Sequence, residues 1–227
     1  MELGRATWCQ VEASERTQVL VVPLGSLEQH GPHLPLDTDA RIAGAVASGL
    51  AQRLDWVAAA PVVAYGASGE HAGFGGTLVV GHRVLADVVS ELVRSARSAF
   101  RGVAVINAHG GNAEALELLR ARSAEEGDDV LVWSAVVPGG DAHAGRTETS
   151  LMLAIDPGAV HLDLARAGRT EPIGTLLPRL RAEGVRPVSS NGVLGDPAGA
   201  SADEGRSLLG HLVSAVTARV SSHWAAP

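Results

Sequence analysis

The chain has 227 residues, with 18 basic and 25 acidic side chains and a formal net charge of −7. Every basic residue is arginine, which excludes a phosphate-binding or Schiff-base lysine, and the negative balance argues against nucleic acid as a partner. The single cysteine, Cys9, excludes an internal disulfide and any cysteine-cluster metal site. With 46% hydrophobic residues, the chain can bury a substantial core.

Short β-branched runs alternate along the chain with segments of helical apolar spacing. The runs predict strands at 18–24, 56–64, 103–107 and 130–135. The helical spacing predicts helices at 38–54, 84–100, 113–125, 147–154 and 202–220. Between 156 and 196 the periodicity fades, and we expect loops there. This order predicts a single domain over residues 1–227, a three-layer α/β/α sandwich with a mostly parallel sheet.

The beginning of the chain is polar and charged, which predicts no signal peptide. No apolar run approaches the roughly 20 residues that a membrane span needs. We therefore expect a cytoplasmic protein with no membrane partner.

A polar cluster follows the first predicted strand directly, in the sequence GSLEQHGPHLPLDTD at 25–39. In open α/β sheets, ligands bind where strands end and loops begin. A helix cap at Asp37 or Thr38 would explain one polar residue here, but it explains neither Glu28 nor His30. The cluster therefore favours a metal site over a plain polar loop.

Three more clusters lie in loops after predicted strands: GASGEHAGFGGT at 66–77, NAHGGN at 107–112 and DAHAGRTETS at 141–150. Histidine and carboxylate ligands without sulfur suit Zn²⁺, Mn²⁺ or Fe²⁺. Their number exceeds the needs of one catalytic zinc, so we expect two divalent ions about 3.5–4 Å apart that share a bridging carboxylate. The histidines in the four clusters are His30, His33, His71, His109 and His143.

The stretch at 25–39, the NAHGGN turn and the Glu148-Thr149-Ser150 segment resemble the creatininase family. That resemblance implies a cytoplasmic, three-layer α/β/α, metal-dependent amidohydrolase that assembles as a homo-oligomer. The motifs YGASGEH at 65–71, PGGDAHAG at 138–145 and GVLGDP at 192–197 resemble one peptidase branch of the family. The resemblance extends from about residue 21 to residue 206.

The family pattern transfers residue by residue. The positions that match its metal ligands are Glu28, His30, Asp39 and His109. Asp39 matches the bridging carboxylate, and His143 matches the histidine that handles protons. Creatininase has a glutamate ligand two residues after the histidine matching His109, whereas this chain has Gly111. Because glycine cannot ligate, we expect Glu148 to take that ligand's place.

The branch resemblance also implies the substrate, a ribosomally made precursor peptide already modified at its C-terminus. Its hydrolysis would release a Val-Tyr-derived unit that becomes the core of a redox cofactor. We expect a metal-activated water to attack the amide carbonyl and His143 to protonate the leaving nitrogen. The candidates for gripping the peptide are Glu70, His71 and Arg146. The tryptophans that shape the creatinine pocket have no match near His143, which makes creatinine a poor substrate.

Three alternatives remain open from the sequence. Another creatininase-family amidohydrolase, acting on a cyclic or formyl amide, would use the same metal site with a different pocket. A nucleotide-binding protein using NAHGGN as an anion loop would bind a phosphorylated ligand without metal. A catalytically inactive metal-binding scaffold would bind metal without cleaving peptide.

Overall fold

The computed structural model describes residues 1–14 and 16–225. Within these ranges a four-stranded sheet lies at the centre, with strand order β2-β1-β3-β4 and parallel pairing throughout. The strands are β1 (Val19–Leu24), β2 (Val57–Ala59), β3 (Gly102–Asn107) and β4 (Val130–Ser134). β1 and β3 pair along their whole length, from Val19 opposite Gly102 to Leu24 opposite Asn107.

Helices cover both faces of this sheet. They are α1 (Trp8–Glu12), α2 (Thr38–Arg53), α3 (His82–Ala96), α4 (Ala113–Glu126), α5 (Arg146–Ile155), α6 (Ile173–Glu183), α7 (Val185–Val188) and α8 (Ala202–His223). One core packs the sheet against α2, α5 and α8, and a second packs it against α3 and α4. The predicted three-layer α/β/α architecture is confirmed.

Two predicted segments differ from the structure. The strand predicted at 56–64 is only three residues long, because the ladder is interrupted at Pro61, which has no N–H to donate. The chain meets β1 again only at a single bridge between Val63 and Leu24. The segment at 156–196, predicted as loops, contains α6 and α7. Pro178 lies inside α6, and a proline in a helical pattern argues against a helix when only the sequence is considered. A small third core joins α6 and α7 to Leu194.

The topology opens a crevice at the carboxyl edge of the sheet. The chain leaves β1 toward α2 on one face and leaves β3 toward α4 on the other. Loops that diverge in this way from adjacent parallel strands leave a ligand-binding crevice between them. The polar clusters at 25–39 and 107–112 both begin at this point.

The contact between α5 and α8 depends on a glycine. Gly205 is buried, and a Cβ there would collide with the Ser150 carbonyl oxygen. Gly210 lies in the same helix, and a Cβ there would meet no atom within 4 Å. Substitutions at the two glycines can therefore distinguish the effect of backbone packing from the effect of helix propensity.

We expect Gly205→Ala to lower the free energy of unfolding by about 1–3 kcal/mol, because α8 must move away from α5. Gly210→Ala should instead raise it by roughly 0.5–1 kcal/mol through helix propensity alone. Denaturant unfolding of both variants measures the difference. Equal effects from the two substitutions would contradict the close approach at Gly205.

Candidate metal centre

Side chains from separate parts of the chain meet at the carboxyl edge of β1 and β3. Glu28 and His30 come from the loop after β1, and Asp39 from the first turn of α2. His109 follows β3, and His143 precedes α5. All five are buried, each with 7% exposure or less. Glu148 reaches the cluster from α5, and the 3₁₀ turn Gly69–His71 brings Glu70 and His71.

Asn112 ties the loops of the site together. Its Nδ2 donates to the Gly25 carbonyl oxygen at 3.1 Å and to Asn107 Oδ1 at 2.9 Å, and its Oδ1 accepts from the Ala67 N–H at 2.8 Å. The final residue of the NAHGGN turn thus joins three segments that carry site residues. This arrangement gives that turn a positioning role in the site.

His109 lies between two carboxylates. Its Nδ1 is 3.2 Å from Asp39 Oδ2, and its Nε2 is 3.2 Å from Glu28 Oε2. Two ligand atoms on one tetrahedral zinc, each about 2.0–2.1 Å from the ion, lie about 3.3 Å apart. The two contacts use different ring nitrogens, so a single ion can take the place of only one of them. The three residues nevertheless offer one ligand atom each within 4.8 Å of one another, which suits a shared cation.

A second group lies on the other side of Asp39. His30 Nε2 is 3.1 Å from Asp39 Oδ1 and 3.9 Å from Glu148 Oε2. The ring of His143 lies 4.3 Å from that of His30, centroid to centroid. Asp39 thus presents one oxygen to each group, which is the geometry of a bridging carboxylate.

Buried oxygens without partners supply an independent test of a metal site. Among the described residues, both carboxylate oxygens of Glu28 and Oδ2 of Asp39 have no hydrogen bond. Buried charges are ordinarily paired, hydrogen-bonded or bound to metal. Three sets of candidate ligand atoms lie within 4.8 Å of one another, namely Glu28/Asp39/His109, His30/His143/Glu148 and Glu28/His71/His143. The donors present fit a divalent cation.

The charges of the cluster balance in pairs. Burial lowers the pKa of His30, but the neighbouring carboxylates, Asp39 foremost, together outweigh burial and raise that pKa to about 10. Burial also acts to lower the pKa of His109, but the Glu28 and Asp39 carboxylates raise it well above its usual value. Without metal, these two histidines carry protons that a metal ion must displace.

Other groups of the site have pKa values shifted toward their neutral forms. Burial lowers the pKa of His71 to about 4 and also lowers that of His143 well below its usual value. Burial raises the pKa of Glu148 to about 7. The cluster therefore contains neutral imidazoles beside the two ion pairs.

The space beside Gly111 is already filled. A Cβ at Gly111 would collide with Glu70 Oε1 and with the His109 ring. Glu70 Oε1 lies 3.7 Å from His109 Nε2. Glu70 thus lies beside Gly111, whereas Glu148 lies 3.9 Å from His30 in the other group.

Not every predicted site residue reaches the cluster. Arg146 is exposed and pairs with Glu204 at 2.8 Å, so its assignment to substrate binding remains a prediction. His33 is buried beside the site, and its Nε2 lies 2.9 Å from Thr149 Oγ1. The sequence interpretation missed Gln29, which contacts both His71 and His143. Its place between two candidate ligands in the first motif was the available signal.

A cleft of about 990 Å³ opens onto the cluster. Its floor includes Glu28, His109 and His143, and one wall is formed by α6. On that wall Ile173 and Leu177 are 42% and 38% exposed. An extended amide substrate can therefore reach the polar cluster while its apolar groups contact α6.

The family model for creatininase (creatinine amidohydrolase) matches residues 4–220, so the chain belongs to the creatininase family. It is accordingly a hydrolase of amide bonds. The match confirms the resemblance inferred from the motifs at 25–39 and 107–112.

Relatives and solved structures refine this assignment. The chain is 46% identical to the mycofactocin precursor peptide peptidase of Mycobacterium tuberculosis (strain H37Rv), over 96% of this chain and 90% of the relative. It is 44% identical to that of Mycolicibacterium smegmatis, with the same coverage. The manganese form of creatininase superposes with a TM-score of 0.79 at 26% identity, over 98% of both chains. A Zn-Zn form of a creatininase variant superposes equally well, with a TM-score of 0.79 at 25% identity over 98% of both chains.

None of the helices in the described residues is both long and apolar enough to cross a membrane.

The position of Asp39 predicts how metal binding responds to substitution. Divalent metal at about 100 times Kd should stabilise the fold by roughly 2.7 kcal/mol, which raises Tm by roughly 5–10 °C for a chain of this size. Asp39→Ala should lose this increase, because both groups share Asp39, and Glu28→Ala should lose less of it. Since the protons on His30 and His109 must leave, the increase should be larger at pH 8 than at pH 6.

Asp37→Ala is the matched control, since Asp37 lies two residues away and pairs with Arg41 at 2.7 Å. It should keep the full metal-dependent increase in thermal scanning. Retention of normal metal content by Asp39→Ala would show that Asp39 does not join the two groups.

Proposed function

We propose that this chain is a dinuclear metal-dependent peptidase that cleaves a modified mycofactocin precursor peptide. The cut would release the C-terminal Val-Tyr-derived unit during biosynthesis of the redox cofactor. The observation that carries the proposal is the 44–46% identity to mycofactocin precursor peptide peptidases over 96% of the chain. The buried ligand cluster and the cleft above it supply the chemistry and the space.

Two divalent ions per chain would be held by the two groups that share Asp39. Glu28 and His109 would complete one site, and His30 and Glu148 the other. Zinc suits these ligands best, and Fe²⁺ or Mn²⁺ also suit them. When bound, the ions supply Lewis acidity that polarises the amide carbonyl and lowers the pKa of water.

The protein's own proton donor in this scheme is His143. Its Nε2 lies 2.8 Å from the Gln29 carbonyl oxygen, while its Nδ1 faces the cluster 3.8 Å from Glu28 Oε1. Nδ1 is therefore the atom that would take a proton from the attacking water and pass it to the leaving amide nitrogen. Glu70 and His71 line the cleft and would contact the peptide. We further propose a cytoplasmic homo-oligomer, as the family resemblance implies.

A second candidate, hydrolysis of a cyclic or formyl amide, has specific support. The chain is 31% identical to the creatinine amidohydrolase of Pseudomonas putida, over 71% of this chain and 74% of the relative. It is also 31% identical to the 2-amino-5-formylamino-6-ribosylaminopyrimidin-4(3H)-one 5′-monophosphate deformylase of Methanothermobacter marburgensis. The peptidase takes precedence because its relatives are more similar over more of the chain.

Mass spectrometry of the modified precursor peptide after incubation with metal-loaded protein tests the proposal. We expect release of the C-terminal unit, loss of cleavage on chelation, and recovery with Zn²⁺, Fe²⁺ or Mn²⁺. His143→Gln should slow cleavage by roughly 10²–10⁴-fold. His33→Gln, a buried histidine outside the ligand groups, is the matched control and should retain most activity.

Creatinine and a formylated aminopyrimidine serve as parallel substrates. Faster turnover of either, with the modified peptide left intact, would favour the second candidate. Full peptide cleavage by thoroughly metal-free protein would contradict both.

Because Gly111 cannot supply the ligand found in creatininase, two isosteric variants test which carboxylate replaces it. Because Glu148 belongs to a three-residue ligand set and Glu70 does not, Glu148→Gln should lose one ion per chain and nearly all turnover. Glu70→Gln should keep both ions and alter mainly KM. Elemental analysis of the folded variants gives the ion count. The reverse result would identify Glu70 as the replacement ligand.

A further inference from the structure

The buried amide of Gln29 is fixed from both of its ends. Its Oε1 accepts a hydrogen bond from the Gly31 N–H at 2.9 Å, and its Nε2 donates to the Gly192 carbonyl oxygen at 3.1 Å. Because an N–H can only donate and a carbonyl can only accept, these two partners determine which end is oxygen and which is nitrogen. The amide NH₂ therefore points toward the site.

Counting the two hydrogens of the Gln29 amide then determines the tautomer of the neighbouring His71 imidazole. The NH₂ group has two hydrogens, and one of them bonds to Gly192. The other faces His71 Nδ1 at 2.8 Å, so Nδ1 must offer a lone pair. The hydrogen of the neutral ring then lies on Nε2, which is 3.2 Å from Glu28 Oε1. The opposite tautomer would place two buried donors against each other.

The same count determines which nitrogen of the nearby His143 carries a hydrogen. Its Nε2 lies 3.0 Å from Gln29 Nε2 and 2.8 Å from the Gln29 backbone oxygen. Since both amide hydrogens are already used, His143 Nε2 itself carries a hydrogen and donates it to that backbone oxygen. Side chain and backbone of Gln29 thus contact two different histidines without conflict.

We propose that Gln29 is a positioning residue that holds His71 in the Nε2–H tautomer, so that the protonated nitrogen of His71 faces Glu28 Oε1 at 3.2 Å and is not a metal ligand. The two Glu28 oxygens then face different histidines, Oε1 toward His71 and Oε2 toward His109. Polar groups placed around a ligand in this way orient the ligands of metal sites. The role of Glu28 as a ligand rests on the proposed function, whereas the tautomer of His71 does not.

Gly192 supports this arrangement from the far end of the chain. Its backbone has φ of +81°, and a Cβ there would collide with the Gln29 amide. The first glycine of the GVLGDP motif thus leaves room for Gln29 and accepts its hydrogen bond.

Long-range ¹H–¹⁵N spectra of protein with ¹⁵N-labelled histidine read the tautomer directly, in the metal-free and the Zn²⁺-loaded protein. His71 is assigned by the loss of its signals in His71→Gln. We expect a protonated Nε2 and an unprotonated Nδ1 in both states. Protonation at Nδ1, or loss of the Nε2 hydrogen when Zn²⁺ is added, would overturn the proposal.

Gln29→Glu provides the second arm, because a carboxylate accepts a hydrogen bond where the amide donates one. His71 Nδ1 should become protonated in this variant, and an unchanged Nδ1 would contradict the role of Gln29. His33, which bonds to Thr149, is the internal control and should give unchanged signals. If the variant does not fold, the two native spectra still decide. Neither arm needs the peptide, so failure of the proposed substrate would be distinguishable.

Discussion

Two buried carboxylates set the conditions that the rest of the site must meet. Glu28 and Asp39 have 0% and 2% exposure, and three of their four oxygens have no hydrogen bond among the described residues. Removing a carboxylate from water costs several kcal/mol unless a cation or a hydrogen-bond donor compensates. The histidines at 3.1–3.2 Å supply that compensation as protonated partners without metal, and as fellow ligands when a metal is bound. The same burial therefore explains both the ion pairs and the fit of the cluster to a cation.

The fold brings the two carboxylates together by packing the loop after β1 closely against α2. A Cβ on Gly25 would collide with the backbone of Ala40, so the loop after β1 lies directly on the first turn of α2. Glu28 and Asp39 meet for this reason although eleven positions separate them. His109 arrives from the adjacent strand because β1 and β3 are paired in parallel and end at the same edge. Residues from the second half of the chain then close the site.

In the proposed mechanism, hydrolysis and specificity depend on different parts of the molecule. The buried cluster would offer the metal ligands and the proton-transfer group, whereas the cleft wall contributed by α6 would contact the substrate. Gly111 links the buried cluster to the cleft, because the Glu70 carboxylate that fills the space beside Gly111 also lines the cleft. A change in one ligand position thus also changes the surface that the substrate contacts.

The four strands, the helices α2–α5 and α8, the clusters at strand ends and the family were predictable from the sequence. Those features depend on local periodicity and on residue types at fixed spacing, such as Glu28 and His30 in one loop. The sequence did not reveal α6, because Pro178 interrupts the helical pattern, and it did not single out Gln29. The contacts of Gln29 and Glu70 required the folded chain, since hydrogen bonds to His71, Gly31 and Gly192 depend on where distant segments meet. Spacing along a chain carries no information about which way a side-chain amide points.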